Sequence, residues 1–280
     1  MNRRASASPT RPSHRAGFSP LADHRRALDF GLATLLVMSL FARDTPLRPR
    51  LVTNEYAHWN PTAPGAPRSS AWDMTSGSLF AHDDAWWTGA IDDVTPDPRS
   101  VNGTDSAVFR LTTHVRSFRN VRVTLGLRVE TFAATARTPA EPWDGVHIFL
   151  RYQSQYQLYY ASINRRDGTT AIKKKQPGGV SNSGTYHTLA TGTASVPIDA
   201  WQAVAATIQT LADGSVRIAL YRGLEMLLDT VDDGSLGGPP ITTAGAVGVR
   251  GDNCEFEFRA FTVTDLDLAA VVFSPRPESP

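Results

Sequence analysis

The chain has 280 residues, with 28 Lys or Arg against 27 Asp or Glu, for a formal charge of +1. That balance lacks the basic excess that steers proteins toward nucleic acid, so no nucleic-acid partner is expected. Hydrophobic residues at 41% and charged residues at 20% describe an ordinary soluble globular protein with ample core material. The single cysteine, Cys254, cannot form an internal disulfide. A bacterial exported protein of this size, held by its core alone, fits that better than a disulfide-stapled secreted domain.

Residues 1–29 are rich in Arg, Ser, Pro and His and show no apolar periodicity. Such a stretch cannot bury enough surface to offset its ordering entropy, so it reads as a disordered basic N-terminus. Residues 30–44 contain the apolar run Phe30 to Ala42, the one helix expected in the chain. It is shorter than the about 20 residues a membrane span needs, but it has the size of an export-signal core. Arg25-Arg26 before it resembles a twin-arginine signal, although Asp29 departs from that pattern. The expectation is export or membrane anchoring through this segment alone, with the protein outside the cell or in its envelope. A buried helix of the main domain is the alternative.

From residue 45 to 266 short apolar-alternating runs recur between Gly, Pro, Asn and Asp clusters, which predicts an all-β, two-sheet antiparallel β-sandwich. Candidate strands cover 71–81, 106–115, 121–132, 146–153, 158–165, 170–175, 186–192, 201–211, 215–223, 225–232, 245–251 and 254–266. Arg166-Asp167-Gly168, Asp213-Gly214 and Arg222-Gly223 supply the positive-φ residues of tight reversals. Residues 267–280, rich in Pro at their end, read as a flexible tail. Alternation puts Cys254 in the core with Phe256 and Phe258, as a small buried apolar group.

The C-terminal third has a particular order of parts. Trp201 opens a strand, Asp213-Gly214 turns it into SVRIALYRG, a third strand ends in DTVDDG, and GAVGVRGDNCEFEFRAFTV closes the sequence of strands. This resembles the concanavalin A-like lectin/glucanase superfamily, in particular laminin-G-like jelly rolls and bacterial domains similar to family 16 glycoside hydrolases. The resemblance spans residues 51–266 and implies a jelly roll whose concave sheet receives carbohydrate.

Strand alternation then selects the side chains that would line such a groove. With Ile148, Leu150 and Tyr152, and Tyr159, Ala161 and Ile163, turned to the core, the opposite face carries His147, Arg151, Tyr160, Asn164, Arg166, Lys173 and Lys175. Rings stack on sugar faces, while Arg, Asn and Lys donate to hydroxyls and pair with carboxylates. The expected partner is a polysaccharide or oligosaccharide, with uronic acids as the acidic variant, bound by a monomer. An ordinary solvated sheet face is the plain alternative.

Chemistry is less well supported. Retaining hydrolysis needs two close carboxylates, and the Glu-x-Asp-x-x-Glu strand of family 16 relatives is absent. Glu255 and Glu257 read as solvated carboxylates of the closing strand. A lyase could use His147, Arg151 and Tyr160 as base and charge sink, yet the Gln-Ile/Val-His triplet of jelly-roll lyases is Gly145-Val146-His147 here. A protein-binding envelope module is a further alternative.

No cofactor is expected. The acidic pairs Asp83-Asp84, Asp92-Asp93 and Asp232-Asp233, with Asp252-Asn253, could supply oxygens to a structural Ca²⁺, but no dedicated calcium spacing is present. Trp86-Trp87 falls in an expected loop, and Trp201 is expected in the core.

Overall fold

The computed structural model describes residues 45–46 and 71–267, except for 78, 90, 92–107, 137 and 182. The expectations for 1–29, for 30–44 and for the tail beyond 267 therefore lie outside the described residues. Among the described residues no helix is long and apolar enough to cross a membrane.

Alternating and apolar runs become strands in chain order. The first half holds β1 (Thr45–Pro46), β2 (Trp72–Ser76), β3 (Phe80–His82), β4 (Ala85–Trp87), β5 (Val108–Thr113), β6 (Val121–Phe132), β7 (Gly145–Ser154) and β8 (Gln157–Ile163). The second holds β9 (Thr169–Ser181), β10 (Gly184–Thr193), β11 (Gln202–Thr210), β12 (Val216–Arg222), β13 (Glu225–Asp232), β14 (Ala246–Asp252) and β15 (Cys254–Asp265). They form two antiparallel sheets packed as a sandwich, the all-β architecture expected from the sequence. The back sheet runs β13-β12-β11-β6-β15-β4-β3, with β1 also on β15. The front sheet runs β10-β9-β8-β7-β14-β5-β2.

Period-two alternation makes the core. In β6, Val121, Val123, Leu125, Leu127 and Val129 are buried while their neighbours are half-exposed. Facing residues come from Ile148 and Leu150 of β7, Tyr159, Ala161 and Ile163 of β8, and Val247 and Val249 of β14. Phe256 and Phe258 pack there with Cys254, whose thiol pKa is pushed up by burial. Gly168, Gly214 and Gly223 all take positive φ in their hairpin turns.

Three local expectations change. The single strand expected over 71–81 divides at Gly77, whose φ of 81° turns the chain. Trp86 and Trp87 lie in β4, paired with Phe258 and Glu257 of β15, rather than in a loop. Trp201 is only half-buried and absent from the core cluster; the guanidinium groups of Arg259 and Arg128 lie 4.1 and 5.4 Å from its ring centroid. Two cations on a ring outweigh the burial a strand-leading Trp would otherwise seek.

The sheets are also tied through polar groups. Lys174 of β9 points inward and its Nζ donates to Asp232 of the back sheet at 2.9 Å and to the Gly238 carbonyl at 2.7 Å. The Tyr159 hydroxyl donates to the same carboxylate and accepts from the Ile241 amide at 3.0 Å. Both charges are fully buried, so removing one strands the other. Asp232→Ala is expected to cost about 3–5 kcal/mol of stability, read as a shift in urea midpoint at constant slope. A loss below about 1 kcal/mol would show that the tie is dispensable.

Candidate functional site

The site lies on the face of the front sheet that turns away from the core, and register assembles it in rows. Arg110 of β5 sits opposite Arg250 of β14, which sits opposite His147 of β7, which sits opposite Ser162 of β8. The next row is Phe149, Tyr160 and Lys173. A third joins Leu158, Lys175 and Tyr186 of β10. Together with Trp143, Tyr152, Gln155, Arg165, Ser181 and Asp252, most of these residues line a cavity of about 300 Å³.

Aromatic rings shape the walls. Tyr160 stands edge-on to His147 and to Tyr186, with centroids 5.3 and 5.6 Å apart, and Phe149 stacks on Tyr152 at 5.2 Å. Trp143, 46% exposed, forms an open rim.

Four of the seven residues selected from the sequence lie here. His147, Tyr160 and Lys173 line the cavity, and Lys175 lies beneath the Tyr186 ring, its Nζ 4.4 Å from the centroid. Arg151, Asn164 and Arg166 go elsewhere, and one physical reason covers all three. Arg151 and Asn164 adopt φ of 46° and 53°, and each such residue inverts the facing of the side chains after it. Arg151 thus turns inward, donating to the carbonyls of Arg119 and Ile241, to Asn120 and to Thr210 of the back sheet. Tyr152, expected in the core, takes its place in the groove.

Asn164 likewise turns to accept from Arg222 of β12 at 3.2 Å. Arg165 then lines the cavity, while Arg166 donates to Asp144 and the Ala133 carbonyl and lies 4.8 Å from the Phe132 centroid. The contacts Arg110, Arg250, Asp252, Tyr152 and Tyr186 were missed by sequence reasoning. Their only local signals are a basic residue in the apolar run VFRLTT and another between the glycines of GVRGD.

A buried row of hydrogen bonds runs under the cavity. His147 is desolvated and its pKa is lowered, against the pull of Asp252. The neutral ring then donates from Nε2 to Asp252 at 3.1 Å and accepts from the Ser162 hydroxyl at Nδ1, 2.7 Å away. This tautomer is assigned from the network. Ser162 is fully buried and outside the cavity lining, so its hydroxyl cannot meet a substrate. With both His147 nitrogens engaged and Arg151 on the opposite face, the His147, Arg151 and Tyr160 trio does not converge as a lyase would need.

Among the lining residues described, Asp252 is the one carboxylate in a cavity bearing Arg110, Arg165, Lys173 and Arg250. Burial works against the Asp252 charge, but Arg250, at 2.8 Å, and His147 overcome it and hold the carboxyl at about 2. Arg165 pairs with Asp167 at 2.7 Å. Arg110 has no such partner among the described residues: it is 3% exposed, its Nη2 lacks a hydrogen bond, and burial followed by the Arg250 charge lowers its pKa. Lys175 Nζ is buried without a hydrogen bond as well. Burial, then Arg250 and Arg110, bring it from 10.5 to about 7 against the opposing pull of Asp252.

Metal chemistry finds little purchase among these groups. Asp232 and Asp252 already serve Lys174 and Arg250, and no group of three or more His, Cys, Asp or Glu among the described residues gathers as a metal site. Asp92 and Asp93 lie outside the described residues. Glu257 pairs with Arg128 at 2.8 Å and Glu255 accepts from the Ile91 amide, both on the back sheet. No pair of carboxylates faces the groove among the described residues.

No protein-family model matches the chain, and no curated protein matches it either. Among solved structures, it is similar to the carbohydrate binding module CBM66 from Bacillus subtilis, with 9% identity over 69% of this chain and 95% of that one, at a TM-score of 0.47. A Bacillus subtilis protein of unknown function with a galectin-like fold gives 14% identity, coverage of 69% and 89%, and a TM-score of 0.48. The exoplasmic/lumenal domain of VIP36, in its Ca²⁺/Man3GlcNAc-bound form, gives 10%, 74% and 89%, and 0.43. At such scores and identities these likenesses assign neither residues nor activity to this chain.

Lys175 carries a directional prediction. A buried charge with no hydrogen-bond partner costs stability, so Lys175→Met, of similar length and apolar, is expected to stabilise the protein by about 1–4 kcal/mol. The folded state disfavours the charge, so wild-type stability rises with pH between about 7 and 10.5, where only the unfolded chain holds the proton. The gain from Lys175→Met should therefore be full below pH 7 and fade toward pH 10.5, as followed by thermal unfolding across that range. A gain independent of pH would place its origin in packing instead.

Proposed function

We propose that this chain is a carbohydrate-binding β-sandwich that takes a polysaccharide or oligosaccharide bearing acidic units into the groove of its front sheet. The observation that carries this is the cavity of about 300 Å³, with Trp143 open at its rim and a surplus of cations within. A polar ligand of sugar size suits such a space, which lies at the lower end of small-molecule pockets. Sugar rings present apolar C–H faces that pack on Trp and Tyr, while their hydroxyls need donors and acceptors. The groove supplies both. Its excess positive charge favours carboxylate- or sulfate-bearing units over neutral ones.

Binding without cleavage fits this geometry best. Proton abstraction needs a basic group within reach of the substrate, yet His147 is committed to Ser162 and Asp252. Burial pushes the Tyr160 hydroxyl above its ordinary pKa, the wrong direction for a base. The basic N-terminus and the apolar run Phe30 to Ala42 support an exported or envelope-tethered bacterial protein, with any membrane contact through that segment.

A glycan array followed by titration calorimetry tests the proposal. Capture of acidic polysaccharides is expected, with release of neither reducing ends nor unsaturated products on prolonged incubation. Trp143→Ala should weaken capture about tenfold, in line with the loss of one aromatic stacking contact. Unchanged binding in that variant would move the site away from the groove.

A further inference from the structure

The unpartnered cations carry the site further. A folded protein places about every buried guanidinium and ammonium against an acceptor, because an unpaired buried charge is costly. Lys174, Arg151 and Arg250 obey this, with carboxylate or carbonyl partners at 2.7–2.9 Å. Arg110 Nη2 and Lys175 Nζ do not, among the described residues. Both sit on the groove side of the front sheet, around Tyr186, and Arg110 lines the cavity itself.

Among the described residues, the carboxylate that acts on both is Asp252, and it is taken by Arg250 and His147. Among the described residues, the fold thus encloses Arg110 Nη2 and Lys175 Nζ around a space of ligand size without providing an acceptor for either. Such a deficit fits an acceptor that arrives from outside.

We propose that the acidic group of a bound sugar, a uronate carboxylate or a sulfate ester, seats on the Arg110 guanidinium and favours the protonated form of Lys175, which then adds positive potential beside the Tyr186 ring. The inference rests on the glycan-binding reading and adds to it the class of unit recognised and its orientation. The anionic group enters first, toward the floor, and the sugar face turns to the aromatic walls. Arg110 offers a planar fork of donors suited to two anion oxygens, whereas Lys175 acts through charge because its Nζ is covered. Arg165, in the turn after β8, and Lys173 of β9 are not required for the seat.

The test compares ligands that differ only in that group. Methyl glucuronide, methyl glucoside 6-sulfate and methyl glucoside are titrated against the wild-type chain and against Arg110→Gln and Arg110→Lys, with thermal unfolding used to confirm that each variant is folded. The wild type should prefer one or both acidic sugars over the glucoside by about tenfold or more. Arg110→Gln should bring that ratio to about threefold or less, and Arg110→Lys should restore part of it. Preference for the glucuronide assigns the seat to a carboxylate, and preference for the sulfate ester assigns it to a sulfated unit.

Equal affinity for all three sugars, or an acid preference that survives Arg110→Gln in a folded variant, would overturn the seat and leave glycan binding standing. Acid-selective binding of the small probes with no capture on the array would uphold the seat and remove the polysaccharide reading. Failure of all three sugars to bind would remove both.

Discussion

Backbone handedness at two positions, one inside β7 and one just past the end of β8, decides which side chains this protein shows to a ligand. A strand alternates its side chains by geometry alone, and a residue with positive φ resets that alternation at the cost of a sparsely populated conformation. At Arg151 the reset sends a guanidinium to the junction of the sheets, where it meets four oxygen acceptors, and sends Tyr152 to the groove. The backbone here also passes Gly245 so closely that a Cβ on that glycine would come within 2.6 Å of the Arg151 carbonyl carbon. At Asn164 the same reset exchanges Arg166 for Arg165. Groove and sheet junction are thus set by the same two dihedrals.

Buried cations in this molecule fall into two groups with opposite energetics. Lys174 and Arg151 are enclosed by acceptors and join the sheets, so their burial is compensated by directed hydrogen bonds. Arg110 Nη2 and Lys175 Nζ are enclosed without acceptors among the described residues, and burial of the two groups depresses both pKa values. Tyr186 lessens that cost for Lys175 through its ring face, which attracts an ammonium but weakly compared with a carboxylate. Sites for ligands often carry local instability of this kind, while the surrounding core supplies the stability.

Much of the fold was legible in the sequence because β6, β8 and β9 alternate without interruption. Ile172 and Lys174 fall inward and Lys173 and Lys175 outward, as simple counting gives. The same counting failed one residue past Leu150 and one past Ile163, since nothing in RYQ or NRR announces a left-handed residue; Asn is a mild hint and Arg none. The groove was partly visible for a different reason. His147, Tyr160 and Lys173 lie close in sequence, whereas Arg110 and Arg250 come from strands that register alone brings beside β7. A single Arg within an apolar strand reads as a surface residue until its neighbours across the sheet are known. Trp86 and Trp87 were obscured by the Asp residues around them, which suggest a turn even where three residues suffice for a strand paired on both sides.

The crossover from β13 to β14 is secured in an unusual currency. Lys174, Gln176, Arg151 and Gln153 reach it through the main-chain carbonyls of Gly238, Pro239, Ile241 and Ala244. Carbonyls are common to every residue type, so these four contacts do not depend on the side chains that carry them, although Ile241 also packs in the core and Gly238 takes a positive φ. Sequence drift at the exposed Pro239 and Thr243 would then leave the path of the loop intact, whereas drift at the donors would not. Distant homologues would share the path of this loop while agreeing hardly at all in its exposed letters, and would be better recognised by the spacing of the donors on β7 and β9.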